Sequence, residues 1–343
     1  VTYAGTLAEA YMRAGQMEKA KPFVFHKTDS SARNIRKMQA IWLLKSGHLA
    51  KGMELFDYTF DDIYQAYSDV LQAPRWGGED LEGKDIAIMG FSGFGDSIQS
   101  LRFLPEIRKS SRRVIIGIMP QMHRLITKNA LCDELFHLMH GPSPRFDYFE
   151  NILSLPWRLQ RNAPDISGLP YLRVLPEDLT KWHAYTKAHK NKLRVGLCWA
   201  GNIKLLHDMD RTINGHTMLS KFADLHDDIC FYSLQIGDRR LADDTYALQD
   251  PSSLIEDFYD TAGLITVLDL VITVDTAVSH LAGALGKSTW LILPTASEWR
   301  WGCDAETTVW YQSMRLWPVP LGAGWDHVLD QIATALVALC ETR

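Results

Sequence analysis

The sequence has no apolar run near the roughly 20 residues that a bilayer-spanning helix needs, and no secretory leader is legible after its first residue, Val1. It is poor in cysteine, with five: Cys132, Cys198, Cys230, Cys303 and Cys340. They are odd in number, scattered and never spaced as CxxC. That argues against a disulfide framework or a zinc site and for reduced thiols in the cytoplasm. Positive charge is not in excess. Lys and Arg number 36 against 41 Asp and Glu, for a net charge of −5. A general nucleic-acid-binding surface is therefore not expected, although a local basic pocket is compatible. What remains is the composition of a soluble globular protein, 46% apolar and 22% charged over 343 residues, with room for two or three domains.

The first sixty residues read as helix pairs. "LAEAYMRAGQMEKA" (Leu7–Ala20) and "QAIWLLKSGHLAKG" (Gln39–Gly52) match at an offset of 32: Ala8 with Ala40, Met12 with Leu44, Gly15 with Gly47, Met17 with Leu49 and Lys19 with Lys51. Two helices broken by a glycine turn and repeated at this period resemble tetratricopeptide repeats. Two copies are few for such an array, since each buries its face on a neighbour. Residues 1–60 are thus expected to be the end of a longer array or to pack on the next domain. Two unrelated helical hairpins are the other reading.

Residues 61–83 read as a connector, with turn chemistry at Pro74, Gly77, Gly78 and Gly83. The pattern then changes to alternating strands and helices, which predicts parallel sheets. "DIAIMGF" (Asp85–Phe91) and "RRVIIGIMP" are strands, and "SIQSLRFLPEIRKS" and "QMHRLITKN" are helices. A proline-rich linker, Ala163–Asp178, precedes a second α/β series with the strands "LRVGLCWAG", "ICFYSLQ", "LDLVITV" and "STWLILP". The expected division is one α/β domain at 84–170 and a second at 171–343, ending in a helix at Trp325–Leu339.

Three strand ends carry polar residues, where open parallel sheets bind ligands. The first is "SGFGD", Ser92–Asp96. Gly93 and Gly95 allow a tight turn, and Asp96 is either a helix cap or a general base. The third glycine of a dinucleotide fingerprint is missing. The second is the loop Trp199–Thr212, with Asn202, Lys204, His207, Asp208, Arg211 and Thr212. It is either solvated or a phosphate clamp, for which the planar fork of Arg is suited. The third is "VDTAVSHLAGALGK", where Asp275 or Thr276 either caps a helix or stands at a helix terminus that binds a diphosphate. His280 lies about a turn into that helix, and Gly283 and Gly286 are expected to permit close helix–sheet packing. The tryptophan-dense stretches "EWRWG" and "VWYQSMRLW" are read either as packing or as stacking surfaces for a ligand. The sequence shows no convincing metal cluster.

Taken together, "VGLCWAGN…DMDRT…FYSLQIG…DFYDTAGLITVLDLVITVDTAVSHLAGALGKSTWLILP…EWRWG" resembles the heptosyltransferase-type glycosyltransferases of family nine, and in particular bacterial proteins that fuse tetratricopeptide repeats to such a module. "GFGDSIQSLRFLP" is similar to that family's N-terminal signature, and the resemblance covers roughly residues 74–340. It implies an α/β GT-B fold: two Rossmann-like domains facing a cleft, preceded by a short helical-repeat segment, with 84–170 as the acceptor domain, 171–343 as the nucleotide-sugar-binding domain and the final helix, Trp325–Leu339, crossing back to the first. It further implies an inverting, metal-independent transfer from a nucleoside-diphosphate sugar, which is a co-substrate, with no cofactor.

On that likeness Asp96 is the general base, Arg211 and Thr212 contact the diphosphate with Lys204 assisting, and Asp275 holds the donor sugar. Thr276, Ala277 and His280 line the phosphate site, and Gln235 lies near the nucleotide. The acceptor implied is a protein, such as a surface or flagellar subunit recruited by the helices, or else a lipopolysaccharide. The sequence departs from the pattern at Gly90-Phe91-Ser92, where repeat-fused relatives carry an acidic or amide residue, and at His207 and Met209. Alternatives are a binding or scaffold protein with weakened turnover, and a GT-B sugar-nucleotide epimerase or hydrolase.

Overall fold

A computed structural model of the chain describes residues 3–25, 33–140, 143–203, 208–241, 246–302 and 306–342. The chain divides into two compact units, Val1–Ser167 with Ala296–Asp304, and Gly168–Thr295 with Ala305–Arg343.

The first unit opens with α1 (Tyr3–Arg13), α2 (Met17–Val24), α3 (Arg33–Lys45) and α4 (Leu49–Asp57). The sequence offset reappears as one turn built twice. Gly15 and Gly47 take φ of +72° and +82°, the left-handed region that glycine enters without steric cost. After each, the next amide reaches back across the turn at 2.9 Å, Gln16 N to Tyr11 O and His48 N to Leu43 O. The matched Ala8 and Ala40 are both fully buried.

The connector contains a helix, α5 (Asp61–Leu71). Its Tyr64 is buried with Ala87, Met89, Ile115 and Phe149, and Phe60, Tyr67 and Leu71 pack beside it. Spacing of i, i+3/i+4 and i+7 puts these on one helix face. The face lies against a four-stranded parallel sheet in the order β3-β2-β1-β4, made of β1 (Asp85–Met89), β2 (Arg113–Ile118), β3 (Glu134–His137) and β4 (Tyr148–Asn151). Helices α6 (Phe94–Ser100), α7 (Leu104–Ser110), α8 (His123–Lys128) and α9 (Leu155–Arg158) complete the unit. The single helix expected over 97–110 is two, joined by a 3-10 turn at Leu101–Phe103. Pro105 has no N–H to bond back to residue 101 and enforces the break.

A buried ionic cluster ties α4 and α5 to β4. The Arg75 guanidinium meets Asp57, Glu150 (2.7 Å) and Ser154 (3.1 Å) and lies 3.7 Å over the Tyr64 ring. Arg158 is a second cation on Glu150, which is wholly buried. Burial raises the Glu150 pKa, and the two guanidiniums pull against it.

The second unit has a six-stranded parallel sheet in the order β10-β9-β8-β5-β6-β7. Its elements, in chain order, are α10 (Thr180–Thr186), β5 (Leu193–Cys198), α11 (Gly215–Lys221), β6 (Ile229–Ser233), β7 (Leu248–Gln249), α12 (Phe258–Val267), β8 (Leu270–Val274), α13 (Ala277–Ala284), β9 (Thr289–Leu293), β10 (Met314–Pro318) and α14 (Trp325–Glu341). The inner strands are mainly apolar because helices cover both faces, with Arg194, Ser233, Thr273 and Thr289 as polar exceptions.

The expected crossing of the last helix needs correction. The apolar face of α14, Val328, Leu329, Ile332 and Leu336, is buried in this sheet's own core with Val195, Ile272 and Ile292. The segment that returns to the first unit is 296–304. Packing is what the structure assigns to Trp301, Trp310 and Trp317, which are all buried. Among the described residues no helix is long and apolar enough to cross a membrane.

Candidate functional site

In the first unit, β1 ends at Met89 and the chain turns into α6 through Gly90-Phe91-Ser92-Gly93. Neither Gly93 nor Gly95 adopts positive φ, so left-handed backbone is not why they are there. Gly93 is the N-cap of α6 at φ −61°, and Gly95 lies in the helix's first turn. Asp96 is the third helical residue and not the cap itself. Its Oδ2 accepts from Gly93 N at 3.2 Å, and a Cβ on Gly93 would lie 3.3 Å from that oxygen. This is one arm of a capping box; glycine has no side chain to supply the other. The other oxygen, Oδ1, accepts from Arg300, whose Nε donates to Gln99 Oε1 at 2.7 Å. Arg300 belongs to the returning segment and is 204 positions from Asp96 in sequence, so no local pattern could announce it.

In the second unit, three neighbouring strand ends meet. Gln235, just past β6, accepts from Ala200 N (3.0 Å) and Cys198 Sγ (3.5 Å), which follow or end β5. Cys198 Sγ lies 3.8 Å from Thr276 Oγ1, at the end of β8. Burial raises the Cys198 thiol's pKa, with lowering by Thr276, Thr273 and the nearby Arg211 charge. An amide oxygen only accepts, so the Cys198 thiol is the donor to Gln235.

Thr276 is the N-cap of α13, its Oγ1 accepting from Val278 N at 3.3 Å. Ala277 is the first helical residue and is half-buried. Asp275 is 6% exposed and faces His280 Nε2 at 3.9 Å, while His280 Nδ1 meets the Tyr311 hydroxyl at 2.9 Å.

Beyond β5, Asp208 organises the basic loop. It is 1% exposed, accepts from Thr212 Oγ1 and Arg239 at 3.1 Å each, and lies 3.4 Å from Arg211 Nε. A Cβ on Gly201 would collide with Asp208 and sit 3.0 Å from Arg211 Nη2. Glycine at 201 therefore lets the strand end lie against this cluster, next to Ala200 and Gln235. The strand-end set is continuous from Arg211 through Gln235 to Thr276.

Gln235 and His280 are each 4% exposed and engaged by protein groups, Gln235 by Ala200 N and His280 by the Tyr311 hydroxyl. One sequence expectation changes here. Gly283 and Gly286 serve close packing, but not against the sheet. A Cβ on Gly283 would overlap the Tyr311 ring, and one on Gly286, at φ +71°, would overlap Pro170. Lys204 and His207 lie outside the described residues. Asp208, Arg239, Tyr311 and Arg300 were not assigned roles by sequence. Among the described residues, no three His, Cys, Asp or Glu side chains gather as a metal site.

These units have the architecture of known sugar-transferring proteins. A glycosyl transferase family 9 structure from Veillonella parvula superposes with a TM-score of 0.58 at 11% identity, covering 77% of this chain and 99% of that one. The ADP-heptose lipopolysaccharide heptosyltransferase II of E. coli superposes with a TM-score of 0.53 at 12% identity, covering 75% and 99%. The fold is therefore the mixed α/β, parallel-sheet GT-B fold of these glycosyltransferase structures, with a helical segment in front. In sequence, the chain is 26% identical to Protein FlbA of Caulobacter vibrioides over 87% of its own length, and it spans about half, 54%, of that relative. No protein-family model matches it.

Proposed function

We propose that the chain is an inverting glycosyltransferase that uses a nucleoside-diphosphate sugar without a metal. The observation that carries this reading is the continuous polar set at the carboxyl ends of β5, β6 and β8 in a fold shared with glycosyltransferases. Arg211, with Thr212 beside it, supplies a cation held by Asp208. The start of α13, at Thr276 and Ala277, supplies helix N–H groups for a diphosphate. Asp275 takes the donor sugar, braced by His280. Lys204 is assigned to the same loop as a second cation.

In the reaction, an acceptor hydroxyl oxygen bonds to the anomeric carbon as its proton passes to Asp96. The bond from that carbon to the diphosphate oxygen breaks, and the nucleoside diphosphate leaves with the electron pair. Its added charge is met by Arg211 and the helix terminus. We assign the acceptor as a protein recruited through α1–α4, and the compartment as the cytoplasm.

A thermal-shift series with ADP-, UDP- and GDP-sugars tests the reading. A ligand that prefers the folded state raises the melting temperature by mass action. One donor should do so and release its nucleotide on addition of acceptor extract. No shift with any of them would remove the donor site.

A further inference from the structure

Arg300 has three features of a built device. Its side chain is only 9% exposed, although it carries a charge that favours water. Its guanidinium lies 4.3 Å over the Trp299 ring, which fixes the plane. From that plane, Nε donates to Gln99 Oε1 at 2.7 Å and Nη2 to Asp96 Oδ1. Asp96 and Gln99 are i and i+3 on α6, so one rigid fork grips a single helix face at two points. Glu298 lies at 4.0 Å from Nη1. The Asp96 carboxylate remains 30% exposed. A carboxylate has about four lone-pair sites. Gly93 N and Arg300 engage one on each oxygen, which leaves others facing outward.

We propose that Arg300 is the positioning residue for Asp96, holding the carboxylate in the one orientation from which its outward lone pair takes the acceptor's proton. The inference rests on Asp96 being the base. The residue that aims it arrives on the returning segment 296–304 and is contributed by neither α6 nor its neighbours in sequence. Gln99, 2% exposed, sets the fork's second point and so its angle. Lysine keeps the charge but cannot make both bonds in one plane.

The test uses the full chain, with nucleotide release measured from whichever donor raises the melting temperature. Arg300→Ala and Arg300→Lys should lower kcat by about 10²-fold, the cost of a small misplacement of a reacting group. The donor KM and the affinity for the free nucleoside diphosphate should stay as in the parent. Added guanidinium ion should restore part of kcat to Arg300→Ala and none to Asp96→Asn. Parental turnover in Arg300→Ala while Asp96→Asn is inactive overturns this inference alone. So does a loss that guanidinium does not relieve in a variant that melts like the parent. Parental turnover in Asp96→Asn overturns the base assignment, and this inference with it.

Discussion

Asp208 lies under Arg211 as a fixed counter-charge. The carboxylate is 1% exposed, and its oxygens meet Arg211, Thr212 and Arg239 within 3.4 Å. A long cationic side chain on a loop ordinarily loses rotamer freedom when it binds a ligand. Here much of that ordering is done in advance. Arg211→Ala should weaken binding of the free nucleoside diphosphate by about 2 kcal/mol, the scale of a charge-assisted contact. Asp208→Asn should weaken it less, because the cation stays but loses its anchor. Isothermal titration reads both; equal affinity in all three proteins would take Arg211 out of the site.

Asp96→Asn keeps the shape of the α6 cap but removes the proton acceptor. Turnover should fall by about 10²–10⁴-fold, the usual worth of general base catalysis. Nucleotide affinity should not change. Steady-state nucleotide release together with titration separates the two effects.

Gly283→Ala places a methyl group against the Tyr311 ring. Overpacking of this kind costs about 1–3 kcal/mol. The Tyr311 hydroxyl holds His280, so the shift should also reach Asp275 and weaken donor binding. Denaturant unfolding measures the first effect and donor KM the second.

Glu150→Gln leaves Arg75 and Arg158 in the interior without their shared anion. Breaking a buried pair from one side costs about 3–5 kcal/mol. Unfolding followed by far-ultraviolet circular dichroism should show that loss. A variant as stable as the parent would mean that the cluster contributes little.

Asp85, at the start of β1, gives a pH signature. The hydrogen bond from Arg112 holds its pKa below the ordinary carboxylate range, with Arg113 adding to the effect and burial opposing it. The folded pKa is lower than the unfolded one. The stabilisation is therefore complete above the unfolded value of about 3.9 and fades as pH falls through the lowered folded value. Melting temperatures of the parent and Asp85→Asn should differ near neutrality and converge in acid. A constant gap down to the acid limit would contradict the assignment.

Much of the sheet architecture was legible because the inner strands are mainly apolar. "DIAIM", "LRVGLC" and "LVITV" are covered on both faces, and a run of that kind has few other places to go. Edge strands were not legible. β7 is two residues long, and β3, "ELFH", is half-buried throughout, so neither has a pattern of its own. α5 was read as a connector because exposed Ile63 and Val70 blur its stripe, which is carried by Tyr64, Tyr67 and Leu71. In the candidate site, Asp96, Arg211 and Asp275 stood out as polar residues after strands. What lay beyond reading was burial. Nothing in "DMDRT" says that its first aspartate is interior, and nothing in "EWRWG" says which carboxylate its arginine meets.

The return of 296–304 to the first unit also bears on how this protein can be cut or shuffled. A fragment ending at Ser167 would lack the Ser297 carbonyl that receives Lys45, and would leave Asp96 without its cation. No single break in the backbone yields both pieces whole. Recombination that swaps one unit for a homologue must therefore exchange two stretches of gene at once, so the two units are expected to be inherited together.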